Sequence, residues 1–132
     1  VGDGYLKNNL IKMCDELGLK NKVEFLGKRK DIIDIYSACD LFYLPSLGEG
    51  LPGTVMEAMA CGKPIVATKE NGTIDLVTKD VGLLVDQNGN YIKTFEKALK
   101  TKFDSEKIKN KIKEYDWNKV IKNYSFFSKT KK

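Results

Sequence analysis

The sequence contains no histidine and only three cysteines, Cys14, Cys39 and Cys61. These cysteines lack the spacing of metal ligands, so a zinc site built from cysteine and histidine is excluded. They are also odd in number. We therefore expect all three to be reduced and buried as small apolar side chains, as in a cytoplasmic protein.

A long apolar run is also missing. No stretch approaches the roughly 20 residues that a membrane-spanning helix needs, and nothing resembles a signal peptide. At 132 residues the chain has the length of one domain with a sizeable core. We expect one soluble domain.

The excess of positive charge is small: the chain has 23 Lys and Arg residues and 18 Asp and Glu residues, for a net charge of +5. Much of the excess comes from lysines in the last third of the chain, without interleaved aromatics or a nucleic-acid-binding motif. This pattern disfavours nucleic acid as a partner. A weak attraction to anionic membrane surfaces fits the charge better.

The best-defined segment of the sequence is residues 40–68. Residues 41–44 form a short apolar run ended by Pro45, which predicts a buried strand. Residues 54–60 are good helix formers followed by Gly62, and residues 64–67 predict the next buried strand. A strand, a helix and a strand in this order predict a parallel sheet with ligands at the carboxyl ends of its strands.

The loop of residues 46–53 lies at that end. Its glycines allow a ligand to approach the backbone, the next helix begins with unpaired N–H groups, and Glu49 and Glu57 add carboxylates. A phosphorylated ligand with hydroxyls would suit these groups. Each feature has another interpretation: Thr54 and Glu57 have the spacing of a capping box, the glycines are common in turns, and a loop glutamate is often only solvated.

Glu49 and Glu57, with seven residues between them in E-G-L-P-G-T-V-M-E-A-M-A-C-G-K-P-I-V-A-T, resemble the E-x7-E signature of retaining, nucleotide-sugar-dependent glycosyltransferases of family 4. That family has the GT-B fold. Segments 2–4, 23–27, 35–40, 44–46 and 82–85 resemble the donor-binding domain of the same family, in its order. The resemblance covers nearly the whole chain.

The resemblance implies an α/β fold with a Rossmann-like parallel sheet flanked by helices, the C-terminal half of a GT-B fold. It implies that residues 1–132 are the nucleotide-sugar-binding domain, truncated at its N-terminus. The first two strands, a basic Arg/Lys pair and an acceptor-binding domain would precede Val1. We therefore expect the fragment alone to be inactive.

The parent enzyme would transfer a sugar from a nucleoside diphosphate sugar to a glycan or lipid-linked acceptor, with retention. Glu49 would contact the hydroxyls of the donor sugar, as the catalytic residue, and Glu57 those of the ribose. The resemblance implies no metal and no cofactor. The other residues expected to bind the donor are Ser46, Gly50, Leu51, Pro52, Gly53, Thr54, Gly4, Lys28 and Arg29; for the basic turn at 27–30, a solvated loop stays an equal alternative.

Two other functions stay open, a nucleotide-sugar 2-epimerase of GT-B fold and a non-catalytic nucleotide-sugar-binding fragment. Peripheral attachment to the inner membrane face is an option for the cytoplasmic parent. Residues 70–75, E-N-G-T-I-D, depart from the family's usual Gly-Gly or Arg-Gly-His element, so the sugar is not predicted.

The rest of the chain is predicted to be mostly helical. A strand is expected at residues 23–26, a turn at 71–73 and a last strand at 82–85. Helices are expected at residues 5–17, 32–38 with Asp31 as cap, 75–77, 90–100, 104–115 and 117–127.

Overall fold

The computed structural model describes residues 1–116 and 118–119, and the chain divides into two compact units, Val1–Ile32 and Ile33–Lys132. Each unit is described here by itself. The predicted helix 117–127, with the aromatic residues Trp117, Tyr124, Phe126 and Phe127, lies outside the described residues except at 118 and 119. Within the described residues, no helix is both long and apolar enough to span a bilayer.

The N-terminal unit contains one complete helix, α1 (Lys7–Glu16), as predicted. The helix ends before Gly18, whose φ of 66° is the left-handed conformation typical of a helix-terminating glycine. Its apolar stripe, which includes Leu10 and Met13, is exposed rather than buried.

The prediction of a strand at residues 23–26 is wrong, because these residues do not form a strand in the structure. A strand requires a ladder of hydrogen bonds to a neighbour, and no other segment of the described N-terminal unit forms a ladder with these residues. The nearby backbone contact is a single hydrogen bond, from the Gly2 N–H to the Gly27 carbonyl at 2.8 Å. Val23 and Phe25 therefore stay exposed.

Helix α2 (Ile32–Ala38) begins where the sequence predicts and buries Tyr36. Asp31, expected to cap it, instead accepts hydrogen bonds from the guanidinium of Arg29. This ion pair is exposed, so its contribution to stability is small.

Three parallel strands form the sheet, β1 (Phe42–Leu44), β2 (Ile65–Thr68) and β3 (Gly82–Val85), in the order β1-β2-β3. Helix α3 (Gly53–Ala60) connects β1 to β2, which confirms the predicted strand-helix-strand unit. Gly62, with φ of 70°, ends α3 as predicted. The predicted last strand is also confirmed.

The core lies between the sheet and its helices. Every residue of β2 is buried, and α3 places Val55, Ala58 and Met59 against the sheet with no exposed surface. Burying one such large side chain contributes about 1.5–3 kcal/mol relative to leaving it exposed. Strand β1 is less buried than predicted, because Tyr43 is partly exposed and packs edge-on against Phe95 at 4.7 Å.

A helix, α4 (Asn71–Leu76), replaces the predicted turn at 71–73 and the brief helix at 75–77. The Thr73 hydroxyl is buried and donates to the carbonyl of Thr68 at 2.6 Å, while the N–H of Glu70 donates to Thr73 Oγ1 at 2.9 Å. These bonds start the helix at the end of β2. The Asn-Gly pair thus lies inside a helix and not in a turn.

Helices α5 (Tyr91–Lys100) and α6 (Ser105–Ile112) follow β3, and a 3-10 turn, Lys113–Tyr115, extends α6. Asn90 and Asp104 cap the two helices through their side chains. The predicted helices of this region are confirmed up to residue 115. All three cysteines are free, as predicted, but half-buried rather than buried.

Candidate functional site

The candidate site is the loop of residues 45–52, which joins the carboxyl end of β1 to the first turn of α3. In a parallel sheet the carboxyl ends of all strands lie at the same edge, and ligands of such folds bind at that edge. Gly48 has φ of 76°, a left-handed conformation that most other residues adopt only with strain. The sequence thus permits a sharp turn in front of the helix.

Glu49 is half-buried within this loop, and the loop itself holds its carboxylate. The hydroxyl of Ser46 donates to Glu49 Oε1 at 2.5 Å. Within the described part of the chain Oε2 of Glu49 accepts no hydrogen bond. One carboxylate oxygen is therefore fixed, and the other is available to a ligand.

The carboxylate of Glu57 is likewise held by a hydroxyl group at one of its two oxygens. Its side chain is exposed on α3, and the hydroxyl of Tyr36 on α2 donates to Glu57 Oε2 at 2.9 Å. Burial, and then the bond to Glu57, raise the pKa of Tyr36 well above its ordinary value, so the phenol stays a neutral donor. Among the described residues, Oε1 of Glu57 has no partner.

The capping-box interpretation of Glu57 is wrong. Helix α3 has Pro52 at its N-cap and Gly53 as its first residue, so Thr54 already lies inside the helix. No side chain caps the helix. The carboxylate of Glu57 is bound to Tyr36 instead of reaching back to the backbone.

The first turn of α3 leaves donors free. The N–H groups of Val55 and Met56 bond to the Pro52 carbonyl, whereas those of Gly53 and Thr54 have no partner in the described part of the chain. Both residues are exposed, as are Gly50 and Leu51. A helix N-terminus carries a partial positive charge, so these N–H groups suit an anion such as phosphate. Pro52 is buried and has no N–H, so it shapes the loop without donating to a ligand.

Gly72 of α4 packs directly against the loop. A Cβ placed on Gly72 would lie 1.3 Å from the carbonyl oxygen of Gly50 and 3.1 Å from that of Glu49. The backbone of α4 is thus in direct contact with the backbone of the loop. Apart from the glycine at position 72, nothing in the sequence indicates this contact.

The remaining predicted donor-binding residues belong to the N-terminal unit. Gly4 is exposed and its N–H donates to the side chain of Asp3 at 3.0 Å; Lys28 is exposed. Arg29 is paired with Asp31, and their hydrogen bond raises the pKa of the arginine and lowers that of the aspartate. Three of the five N–H donors of Arg29 are not used in this pair.

The side chain that sequence reasoning missed is Tyr36. It lies on α2, and its ring packs edge-on against Phe42 at 5.6 Å. Its hydroxyl reaches Glu57 across 21 positions of sequence, which periodicity cannot reveal. A signal did exist, because a buried tyrosine usually needs a hydrogen-bond partner.

The described residues contain no group of three or more acidic or cysteine side chains arranged to hold a metal ion. The carboxylates of the site instead have one anchored and one open oxygen each. Fold and loop together define an α/β domain with a candidate ligand-binding loop at the carboxyl edge of a parallel sheet. The chain belongs to the family of glycosyl transferases group 1, whose model matches residues 1–118.

Relatives of known activity are similar over different parts of the chain. A UDP-Gal:alpha-D-GlcNAc-diphosphoundecaprenol alpha-1,3-galactosyltransferase of Escherichia coli is 34% identical over 100% of this chain. An N,N'-diacetylbacillosaminyl-diphospho-undecaprenol alpha-1,3-N-acetylgalactosaminyltransferase of Campylobacter jejuni is 42% identical over 49% of it. The chain spans 34% of the first relative and 18% of the second.

Solved structures, a galactosyltransferase among them, have the same fold. The lipopolysaccharide outer core galactosyltransferase WaaB matches 97% of this chain, and 39% of its own, with a TM-score of 0.82 and 24% identity. Anabaena HepE, in its complex with UDP-glucose, matches 86% of this chain and 38% of its own, with a TM-score of 0.62 and 31% identity. The predicted fold class, a parallel sheet flanked by helices as in GT-B glycosyltransferases, is confirmed.

Proposed function

We propose that this chain is the donor-binding domain of a retaining glycosyltransferase of family 4, with Glu49 and Glu57 as its E-x7-E pair. The whole enzyme would transfer a sugar from a nucleoside diphosphate sugar to a glycan or lipid-linked acceptor. An acceptor-binding domain outside residues 1–132 would complete it. The relatives named above are all transferases, which favours transfer over epimerisation.

The observation that carries this proposal is the matched state of the two glutamates. Each has one carboxylate oxygen held by a hydroxyl, from Ser46 for Glu49 and from Tyr36 for Glu57, and one oxygen open. A fixed carboxylate is well suited to bind a diol, because its remaining lone pairs accept charge-assisted hydrogen bonds from hydroxyl groups. Two such groups on either side of a helix N-terminus fit a ligand with a sugar, a phosphate and a ribose.

The roles follow from position along the loop. Glu49, which precedes the helix, would bind the hydroxyls of the transferred sugar as the catalytic residue, and Glu57 the ribose hydroxyls. The N–H groups of Gly53 and Thr54 would bind the diphosphate, and Ser46, Gly50, Leu51 and Pro52 of the same loop would contribute to donor binding. The N–H groups would offset charge on the leaving diphosphate, so the proposal needs no metal ion or cofactor. Gly4, Lys28 and Arg29 of the N-terminal unit are proposed as further donor-binding residues.

The relatives support the choice of ligand and acceptor. HepE has been solved with UDP and with UDP-glucose, and the names of the Escherichia coli and Campylobacter jejuni relatives include undecaprenol-linked acceptors. We infer a nucleoside diphosphate sugar as donor. A lipid-linked acceptor would place the enzyme on the inner face of the membrane, to which its lysine excess would be attracted.

The test is the affinity of the full-length protein for UDP, measured by titration calorimetry. Glu57→Ala should weaken UDP binding by about 1.5–3 kcal/mol, the usual value for hydrogen bonds to a charged group. Glu57→Gln should weaken it less, because the amide keeps one acceptor oxygen.

Glu96→Ala is the matched control, since Glu96 is an exposed glutamate on α5, outside the loop. It should leave UDP binding unchanged. Thermal unfolding of the same proteins separates lost binding from lost folding. Equal UDP affinity in Glu57→Ala and the unmodified protein would refute the proposed role of Glu57.

A further inference from the structure

Glu57 is an exposed side chain tied to a buried one. Tyr36 is only 5% exposed, yet its hydroxyl reaches the carboxylate of Glu57 at 2.9 Å. A glutamate side chain is among those that lose most rotamer freedom when they are ordered. A carboxylate that is already ordered before the ligand arrives avoids that loss during binding.

We infer that Tyr36 is a positioning residue, which fixes the Glu57 carboxylate in the orientation that accepts hydrogen bonds from a vicinal diol such as that of ribose. This inference rests on the proposed role of Glu57 in nucleotide binding. Tyr36 acts through Glu57 and does not itself contact the ligand.

The geometry leaves room for the diol. A carboxylate has about four lone-pair positions, and Tyr36 occupies one of them on Oε2. The others can accept two neighbouring hydroxyls. A ligand can therefore bind while the tyrosine bond stays in place.

The position of the tyrosine is itself fixed. Its ring packs edge-on against Phe42 of β1, with an interplanar angle of 66°. Burial raises the pKa of Tyr36, so its hydroxyl stays protonated even at alkaline pH where an ordinary tyrosine ionises. Helix α2, strand β1 and helix α3 thus jointly determine where the Glu57 carboxylate lies.

The experiment compares UDP with 2',3'-dideoxy-UDP as calorimetric probes of the full-length protein. Tyr36→Phe keeps the ring packing and removes only the hydroxyl. It should raise the dissociation constant of UDP roughly threefold to tenfold, the effect of one hydrogen bond. Binding of 2',3'-dideoxy-UDP should be unchanged, because that probe has no ribose diol for Glu57 to bind.

Tyr115→Phe is the matched control. The Tyr115 hydroxyl donates to the carbonyl of Asp75, also at 2.9 Å and also across a long sequence separation. The variant loses an equivalent bond outside the candidate site, and UDP binding should not change. A second test adds Tyr36→Phe to Glu57→Ala, where it should have no further effect on UDP binding.

The outcomes distinguish the proposed role of Glu57 in nucleotide binding from the positioning role of Tyr36. If Glu57→Ala binds UDP normally, the role of Glu57 fails and the positioning role fails with it. If Glu57→Ala weakens binding but Tyr36→Phe does not, or if Tyr36→Phe weakens both probes equally, only the positioning role is overturned. A Tyr36→Phe effect that persists in Glu57→Ala overturns it as well.

Glu57→Asp provides a second perturbation if Tyr36→Phe does not fold. It keeps the charge but shortens the side chain by one methylene, which withdraws the carboxylate from the tyrosine hydroxyl. UDP binding should weaken while 2',3'-dideoxy-UDP binding is retained. Normal UDP binding by Glu57→Asp would show that the orientation fixed by Tyr36 is not needed.

Discussion

A methyl group at position 72 should displace the glycine-rich loop while both glutamate side chains stay in the sequence. The Cβ of Gly72→Ala would lie 1.3 Å from the carbonyl oxygen of Gly50 and 2.4 Å from its carbon. Carbon and oxygen atoms that are not bonded approach to about 3.3 Å at closest. Either the loop or α4 must therefore move by about 2 Å.

The substitution is expected to lower both the stability and the activity of the protein. Overpacking of this kind typically costs about 1–3 kcal/mol of unfolding free energy. A misplacement of about 1 Å in groups that position a substrate can cost roughly 100-fold in rate. We expect sugar transfer by the full-length Gly72→Ala protein to fall about 100-fold while the protein remains folded.

The assay pairs transfer of labelled sugar from the donor with urea unfolding of the same samples. Gly82→Ala is the matched control, because its Cβ would lie 2.0 Å from the carbonyl oxygen of Ile65 at the opposite, amino end of β3. It should lose stability but keep much more activity per folded molecule. Equal activity of the two variants at matched folded fractions would show that the contact between Gly72 and Gly50 does not hold the loop.

Three further results are expected. Glu49→Ala should lower turnover far more than UDP affinity, because Glu49 would contact the transferred sugar, which UDP lacks; equal losses in kinetics and calorimetry would remove it from the sugar subsite. Asp104→Ala should cost about 1 kcal/mol in urea unfolding, since the Asp104 carboxylate accepts from two N–H groups at the start of α6. The pKa of Tyr36 is higher in the folded than in the unfolded protein, so the stability that its protonated hydroxyl contributes is complete below about pH 10 and is lost as the pH rises further. This alkaline loss of stability should be smaller in Tyr36→Phe.

The strand-helix-strand unit could be predicted because its boundaries are marked locally. Pro45 ends β1, and Gly62 supplies the positive φ that ends α3. The failed predictions depended on distant partners instead. Residues 23–26 have strand-like composition but form no ladder in the described N-terminal unit, and Gly72 is helical where the Asn-Gly pair suggested a turn.

The positions of the two glutamates in the chain were predictable, but their hydrogen-bond partners were not. The sequence placed Glu49 in the loop before α3 and Glu57 within the helix, and the structure has both residues in these elements. The capping-box spacing gave a competing interpretation of Glu57, which failed because the helix starts at Gly53. The tyrosine that binds Glu57 lies on another helix, so only the tertiary structure shows it.

The unequal burial of the strands should give the two glutamates different mobility. Glu57 lies on α3, which packs fully buried residues such as Met59 beside β2. The amides of β2 should exchange with deuterium only on global opening. Glu49 follows the half-buried β1 in an exposed loop, whose amides should exchange through small local openings. The ribose end of the site would thus open less often than the sugar end, although both carboxylates are held by a hydroxyl group when the site is closed.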